Sequence, residues 1–127
     1  MGRKKKDTSH LLTETELVIM NCLWELKQAT VHEIIAALGN EKDYAYNTVS
    51  TIVRILEQKE YVTNQKIGRS HHYSAKIEKN YYESIGLNSV VDNLFNGAPI
   101  NLMKRMLGDS NLSKNEINEL KKLIKDL

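Results

Sequence analysis

The chain of 127 residues is poor in cysteine, proline and aromatic residues, and it carries a net charge of only +2 at pH 7. Each shortage excludes something. A lone Cys22 allows neither a disulfide framework nor a multi-thiolate metal site, and it suits a reducing compartment. No apolar run is long enough to cross a bilayer, so direct membrane insertion is not expected. The basic start, Met1 to Lys6, resembles a secretory leader, but Glu14 and Glu16 interrupt the apolar stretch that should follow. Gly2 lacks a myristoylation context because Lys6 stands where Ser or Thr is needed. These readings predict a cytoplasmic protein.

Catalytic signals are missing as well. No glycine-rich loop follows a strand, and no Ser is followed three residues later by Lys. His32-Glu33 opens a His-Glu-x-x-His pattern, yet Ala36 occupies the second histidine's place. His71 and His72 are neighbours, so in a strand they point to opposite faces and cannot chelate one metal alone; they read better as residues touching a phosphate or packing on Tyr73. Neither an enzyme nor a metal or cofactor site is expected.

What is present is an ordinary globular balance, 41% hydrophobic and 27% charged, in a length that fits one domain or a small domain with an appendage. A chain this short buries roughly two thirds of its unfolded surface, so a partner subunit would help. Charge is uneven. Arg3 to Lys6 form a basic tail, and between Tyr44 and Lys76 the cations Arg54, Lys59, Lys66, Arg69 and Lys76 meet only Glu57 and Glu60. That bias suits a polyanionic partner, although a solvated mixed-charge surface gives the same composition.

Helix starts are legible at three places. Thr13 with Glu16, Thr30 with Glu33 and Ser113 with Glu116 have capping-box spacing. Gly39 marks the end of the second helix, and Asn40 to Asp43 read as a polar linker. Val49, Ile52, Val53 and Leu56 then form one buried helical stripe. Tyr61 to Lys66 and His71 to Ala75 read as two strands around a turn at Gly68. Helix, helix, helix, hairpin is the order of a winged helix-turn-helix. Past Ile77 the helical period returns, ending in a seam of Ile117, Leu120, Ile124 and Leu127 spaced 3, 4 and 3. Three thin amphipathic helices bury such seams best against a second copy.

The outer face of the third helix carries the strongest functional signal. Asn47, Thr51, Arg54 and Gln58 share it, with Thr48 and Ser50 beside them. Short neutral donors and acceptors near a helix start, followed by a long cation, suit a helix entering the major groove by its amino end. Arg54 and Lys59 are expected toward the phosphates. A merely solvated face would more often carry Glu and Lys, which are better helix formers.

The elements Leu12-Thr13…Glu16…Leu23-Trp24, Thr30-Val31…Glu33-Ile34, Ala45-Tyr46-Asn47-Thr48-Val49-Ser50-Thr51 and Gly68-Arg69…Tyr73-Ser74-Ala75 together resemble the penicillinase repressor family of BlaI, MecI and CopY type. The resemblance implies a mainly α fold with a small β-hairpin. A basic flexible tail would cover residues 1–10, a winged-helix DNA-binding domain 11–77, and a three-helix dimerisation domain 78–127. It implies a homodimeric repressor on palindromic operators of β-lactam-resistance or related genes, answering to a membrane-bound sensor protease. On matching positions Asn47, Thr48, Ser50, Thr51 and Arg54 would contact DNA from the helix, and Lys66, Arg69, His72 and Tyr73 from the wing. Tyr81, Val91, Leu94, Phe95, Ile117, Leu120 and Ile124 would build the dimer interface. The family's cleavage site is an Asn-Phe dipeptide ahead of the Leu-Ser capping motif; this chain has Arg105-Met106 there. The copper branch uses a C-terminal cysteine hook, and no Cys follows Cys22. Two rivals remain: a winged-helix protein-interaction module, and a ligand-responsive winged-helix regulator.

Overall fold

The computed structural model describes residues 11–39, 44–109 and 111–127; the basic tail and the Asn40 to Asp43 linker lie outside the described residues. Within them the elements run α1 (Glu14–Leu26), α2 (Val31–Leu38), α3 (Tyr46–Gln58), β1 (Val62–Ile67), β2 (Ser70–Ala75), α4 (Lys79–Leu94), α5 (Pro99–Gly108) and α6 (Lys114–Lys125). All three expected capping boxes form. Thr13, Thr30 and Ser113 accept from the N3 amides of α1, α2 and α6, and the partner glutamates reach back to the cap N–H groups. Pro99 opens α5, where its missing N–H is no loss.

The chain divides into two compact units, one ending at Gly86 and the other starting at Leu87, both positions lying inside α4. The first unit owns a closed core. Ile19, Met20 and Leu23 of α1, Ile34 of α2, and Val49, Val53 and Leu56 of α3 are fully buried there, with Tyr61, Val62 and Tyr73 from the hairpin. The predicted α3 stripe is confirmed, Ile52 being half-buried at its edge.

Strands β1 and β2 pair antiparallel from Val62 opposite Ala75 to Ile67 opposite Ser70. Gly68 supplies the positive φ, +64°, that a glycine-first two-residue turn requires. No atom would obstruct a Cβ there, so it is the backbone angle that calls for glycine. Between α1 and α2, Ala29 adds a one-residue third strand. Its N–H donates to the Tyr73 carbonyl at 2.9 Å, and the Tyr73 N–H returns a bond of 2.8 Å. The hairpin is thereby fixed to the helical core.

The start of α4 also belongs to this unit. Trp24 Nε1 donates to the Ile77 carbonyl at 2.8 Å, and the Leu12 N–H donates to the Tyr82 hydroxyl at 2.9 Å. Tyr82 packs beside Trp24 and edge-on to Tyr61. Cys22 is half-buried and its thiol is pushed up by desolvation, then by Glu25, as befits a packing residue.

The C-terminal unit is built differently. Among its described apolar side chains only Val91 is buried, while Leu94, Ile100, Met103, Leu107, Leu123 and Ile124 stand exposed. Phe95, Leu102, Leu112, Ile117 and Leu120 are half-buried.

Candidate nucleic-acid interface

Burying Val49, Val53 and Leu56 on one side of α3 forces the intervening residues outward. Asn47, Thr48, Thr51 and Arg54 are exposed, and Ser50 is half-buried. The first turn of α3 has no acidic residue, and its N-cap, Ala45, has no side chain able to accept from the first-turn amides. That leaves the positive end of the helix dipole beside these polar groups, a combination that favours an anion.

From the hairpin, Lys66 and Arg69 are exposed, Arg69 at the tip beside Gly68. His72 is half-buried. Tyr73 is 6% exposed and belongs to the core, where burial, with Glu57 close by, pushes its phenol up against a partly offsetting Arg54. Its backbone holds the hairpin to Ala29, and of the four expected wing residues it is the most buried, bordering a basin beside α3.

Lys59 also departs from expectation. Its Nζ lies 2.9 Å from Oε2 of Glu16, and that carboxylate is buried in the core of the unit. Desolvation would raise the Glu16 carboxyl, but the Thr13 amide and the Lys59 ammonium together outweigh it and hold the group below its usual range. Lys59 stays exposed on its outer side, but its ammonium is already paired with Glu16. Sequence spacing explained Glu16 as a capping residue and gave no hint of a partner 43 positions away.

Two residues emerge that sequence reasoning left out of the site, His32 and Tyr46, and His71, legible only as a wing residue, joins them. The His32 ring stands 4.8 Å from the ring of Tyr46, joining the start of α2 to the start of α3. Both line a basin of about 300 Å³ with Ser50 and Arg54 of α3 and with Arg69 and His71 of the hairpin. His71 meets Asn64 across the strands, the Asn64 side chain lying 3.0 Å from Nδ1. A signal existed in the sequence: Tyr46, Ser50 and Arg54 recur at i, i+4 and i+8, a second row on α3 next to the one already singled out.

This arrangement, an open polar helix face flanked by a basic hairpin tip, is matched by what the chain resembles. A model of the penicillinase repressor family matches residues 12–126. The chain belongs to that family. It is 24% identical to the penicillinase repressor of Bacillus licheniformis over 115 residues, covering 91% of this chain and 90% of the relative. Against the methicillin resistance regulatory protein MecI of Staphylococcus aureus the identity is 22% over 113 residues, 89% of this chain and 92% of the relative. Among solved structures, the DNA-binding domain of the repressor BlaI superposes with a TM-score of 0.51 at 24% identity, covering 62% of this chain and 94% of that one. The reduced form of MarR from E. coli gives a TM-score of 0.50 at 14% identity over 91% of this chain and 76% of that one, a likeness of fold. Penicillinase repressors are DNA-binding transcriptional repressors, which is the class this chain joins.

The residues that the resemblance assigned to dimerisation scatter. Tyr81 is 62% exposed but falls in the winged-helix unit, and Val91 is taken up by the interior of its own unit. Leu94 and Ile124 are exposed, whereas Phe95, Ile117 and Leu120 are half-buried. Arg105 and Met106 lie inside α5 and are exposed, with Arg105 3.9 Å from Asp109. Among the described residues no helix is long and apolar enough to cross a membrane, and no group of His, Cys, Asp or Glu is arranged to hold a metal ion.

Proposed function

We propose that the chain is a homodimeric repressor that reads a palindromic operator with α3 and the hairpin tip of each copy. The observation that carries this is the exposed row of Asn47, Thr48, Thr51 and Arg54 on α3, ending in a guanidinium able to make a bidentate contact with guanine. Ser50 sits beside that row, while Lys66 and Arg69 flank it as phosphate contacts, with His72 at the hairpin's half-buried margin. The apolar surface of the C-terminal unit, with Leu94, Leu123 and Ile124 exposed, supports self-association. Two half-sites about 34–36 Å apart, or a multiple of that, would then be held by one assembly. Tethering raises affinity by roughly 10²–10⁴-fold over one copy, and whatever splits the pair loses that gain.

The regulated genes would be those of β-lactam resistance or a related response, and the repressor would act in the cytoplasm. Derepression by a membrane-bound sensor protease at Arg105-Met106 requires opening of α5 first, because that bond is helical and proteases bind extended backbone.

The test is selection from random duplexes at two salt concentrations. Recovery of a palindrome whose affinity falls steeply with salt is the expected result. On that site Arg54→Ala should weaken binding by about 1–3 kcal/mol and relax preference at one base pair per half-site. No enrichment at either salt would sink the proposal and assign the α3 face to a protein partner.

A further inference from the structure

The basin beside α3 shares Ser50 and Arg54 with the groove-reading face and Arg69 with the hairpin tip, and adds His32, Tyr46 and His71, which neither accounts for. It lies wholly within the winged-helix unit, and α2, α3 and the hairpin all contribute to it. Two guanidiniums, Arg54 and Arg69, and two imidazoles, His32 and His71, line it, with the Ser50 hydroxyl and the Tyr46 ring between them. No carboxylate does. A cavity at the junction of α1 and α4 is bordered by Glu78, and one in the C-terminal unit by Asp109, so freedom from acids is not general to the cavities of this molecule. The nearest acid on α2, Glu33, is turned to its own helix end, accepting from the Thr30 N–H at 2.9 Å.

A concave site rich in N–H and O–H donors, with no carboxylate in its lining and Glu57 near it only through Tyr73, suits a tetrahedral oxyanion. The ring contact adds order. Tyr46 packs against His32 at 4.8 Å, which restricts the imidazole of an otherwise exposed residue that lines the basin.

We infer that this basin is a seat for one backbone phosphate of the operator, with His32 as the contact from α2 and Tyr46 as the residue that positions it. The inference rests on the DNA-binding reading. It adds a fixed anchor that sets how far α3 enters the groove, at a position with no base information of its own.

The experiment scans a single uncharged methylphosphonate along both strands of the selected duplex, using the full chain and its His32→Ala and Tyr46→Phe variants. Wild type should lose about 10–100-fold in affinity at one phosphate per half-site, in line with the loss of one charge-assisted hydrogen bond. His32→Ala should show a smaller loss on the unmodified duplex, uniform across base variants, and a reduced penalty at that phosphate, because Arg54, Arg69 and His71 still line the seat. Tyr46→Phe keeps the ring and should behave as wild type, whereas Tyr46→Ala should reproduce part of the His32→Ala loss. His32 is exposed, so its removal leaves the core untouched. Unchanged affinity in His32→Ala, or a loss with the full methylphosphonate penalty retained, would overturn the seat while leaving operator binding intact. Wild type that binds no duplex would overturn the DNA-binding reading itself. Displacement of DNA by inorganic phosphate at constant ionic strength, with no sensitive position in the scan, would assign the basin to a free anion and overturn the backbone contact.

Discussion

The winged-helix unit and the C-terminal unit are made of similar helices, yet they solve the burial problem in opposite ways. In the first, α1, α2 and α3 turn their stripes inward on one another, and seven large side chains from Ile19 to Leu56 lose essentially all contact with water. In the second, α6 is just as amphipathic yet leaves Leu123 and Ile124 more than half exposed, and Leu94 at the end of α4 is exposed to the same degree or more. A stripe at helical spacing therefore says that a face must be covered, and not by what. Three helices crossed by a hairpin have neighbours enough within one chain. Three short helices alone do not, which is the physical case for a second copy.

The sharpest way to break this comparison is to damage each unit at its own apolar residues. Leu23→Ala removes a fully buried side chain and should cost about 2–5 kcal/mol, seen as a lowered urea midpoint of the winged-helix transition. Ile124→Asp alters a residue 59% exposed and should leave that transition in place while converting the assembly to monomer in sedimentation. If Ile124→Asp left the mass unchanged, α6 would not be the covered face. If it unfolded the winged-helix unit, the two units would not be energetically separate.

A smaller effect tests the ion pair that ties α3 to α1. Glu16→Gln keeps the capping geometry but loses the charge opposite Lys59, and should cost about 1–2 kcal/mol near neutral pH. The folded carboxyl titrates below its ordinary value of 4.5, so its contribution is complete above that pH and is lost as pH falls through the lowered value. Wild type and Glu16→Gln should accordingly converge in acid denaturation. A gap that stayed constant down to strong acid would show that packing, and not charge, accounts for the loss.

The smallest change expected is a gain. Gly86 sits in the middle of α4, where the two units divide, and an added Cβ would meet nothing within 4 Å. Gly86→Ala should raise stability by about 0.5–1 kcal/mol through helix propensity alone, read as a higher Tm. A fall instead would mean that α4 has to bend at this position.

Much of the site was legible because local rules wrote it. Hydroxyl and carboxylate spacing gave the starts of α1, α2 and α6, and the buried row Val49, Val53, Leu56 gave the outward face of α3 by subtraction. What stayed hidden shares a cause. Lys59 counted as a phosphate contact because its partner Glu16 is distant in sequence. That Tyr73 is largely buried was hidden because the Ala29 strand that ties it down is a single residue with no strand signature. His32 stood out only as half of a broken zinc motif, since nothing local places it against Tyr46.

Composition, capping pairs and the periods of 3.6 and 2 were enough to determine the elements, their order, the inward face of each winged-helix segment and, through a set of matched motifs, the repressor family. The tertiary structure alone decided which cations are free, which aromatic residues are core, and that one basin gathers donors from three elements without a carboxylate. Helix and strand periods are set by neighbours three or four residues apart. The fate of a charge or a ring depends on whatever the fold brings to it from tens of residues away.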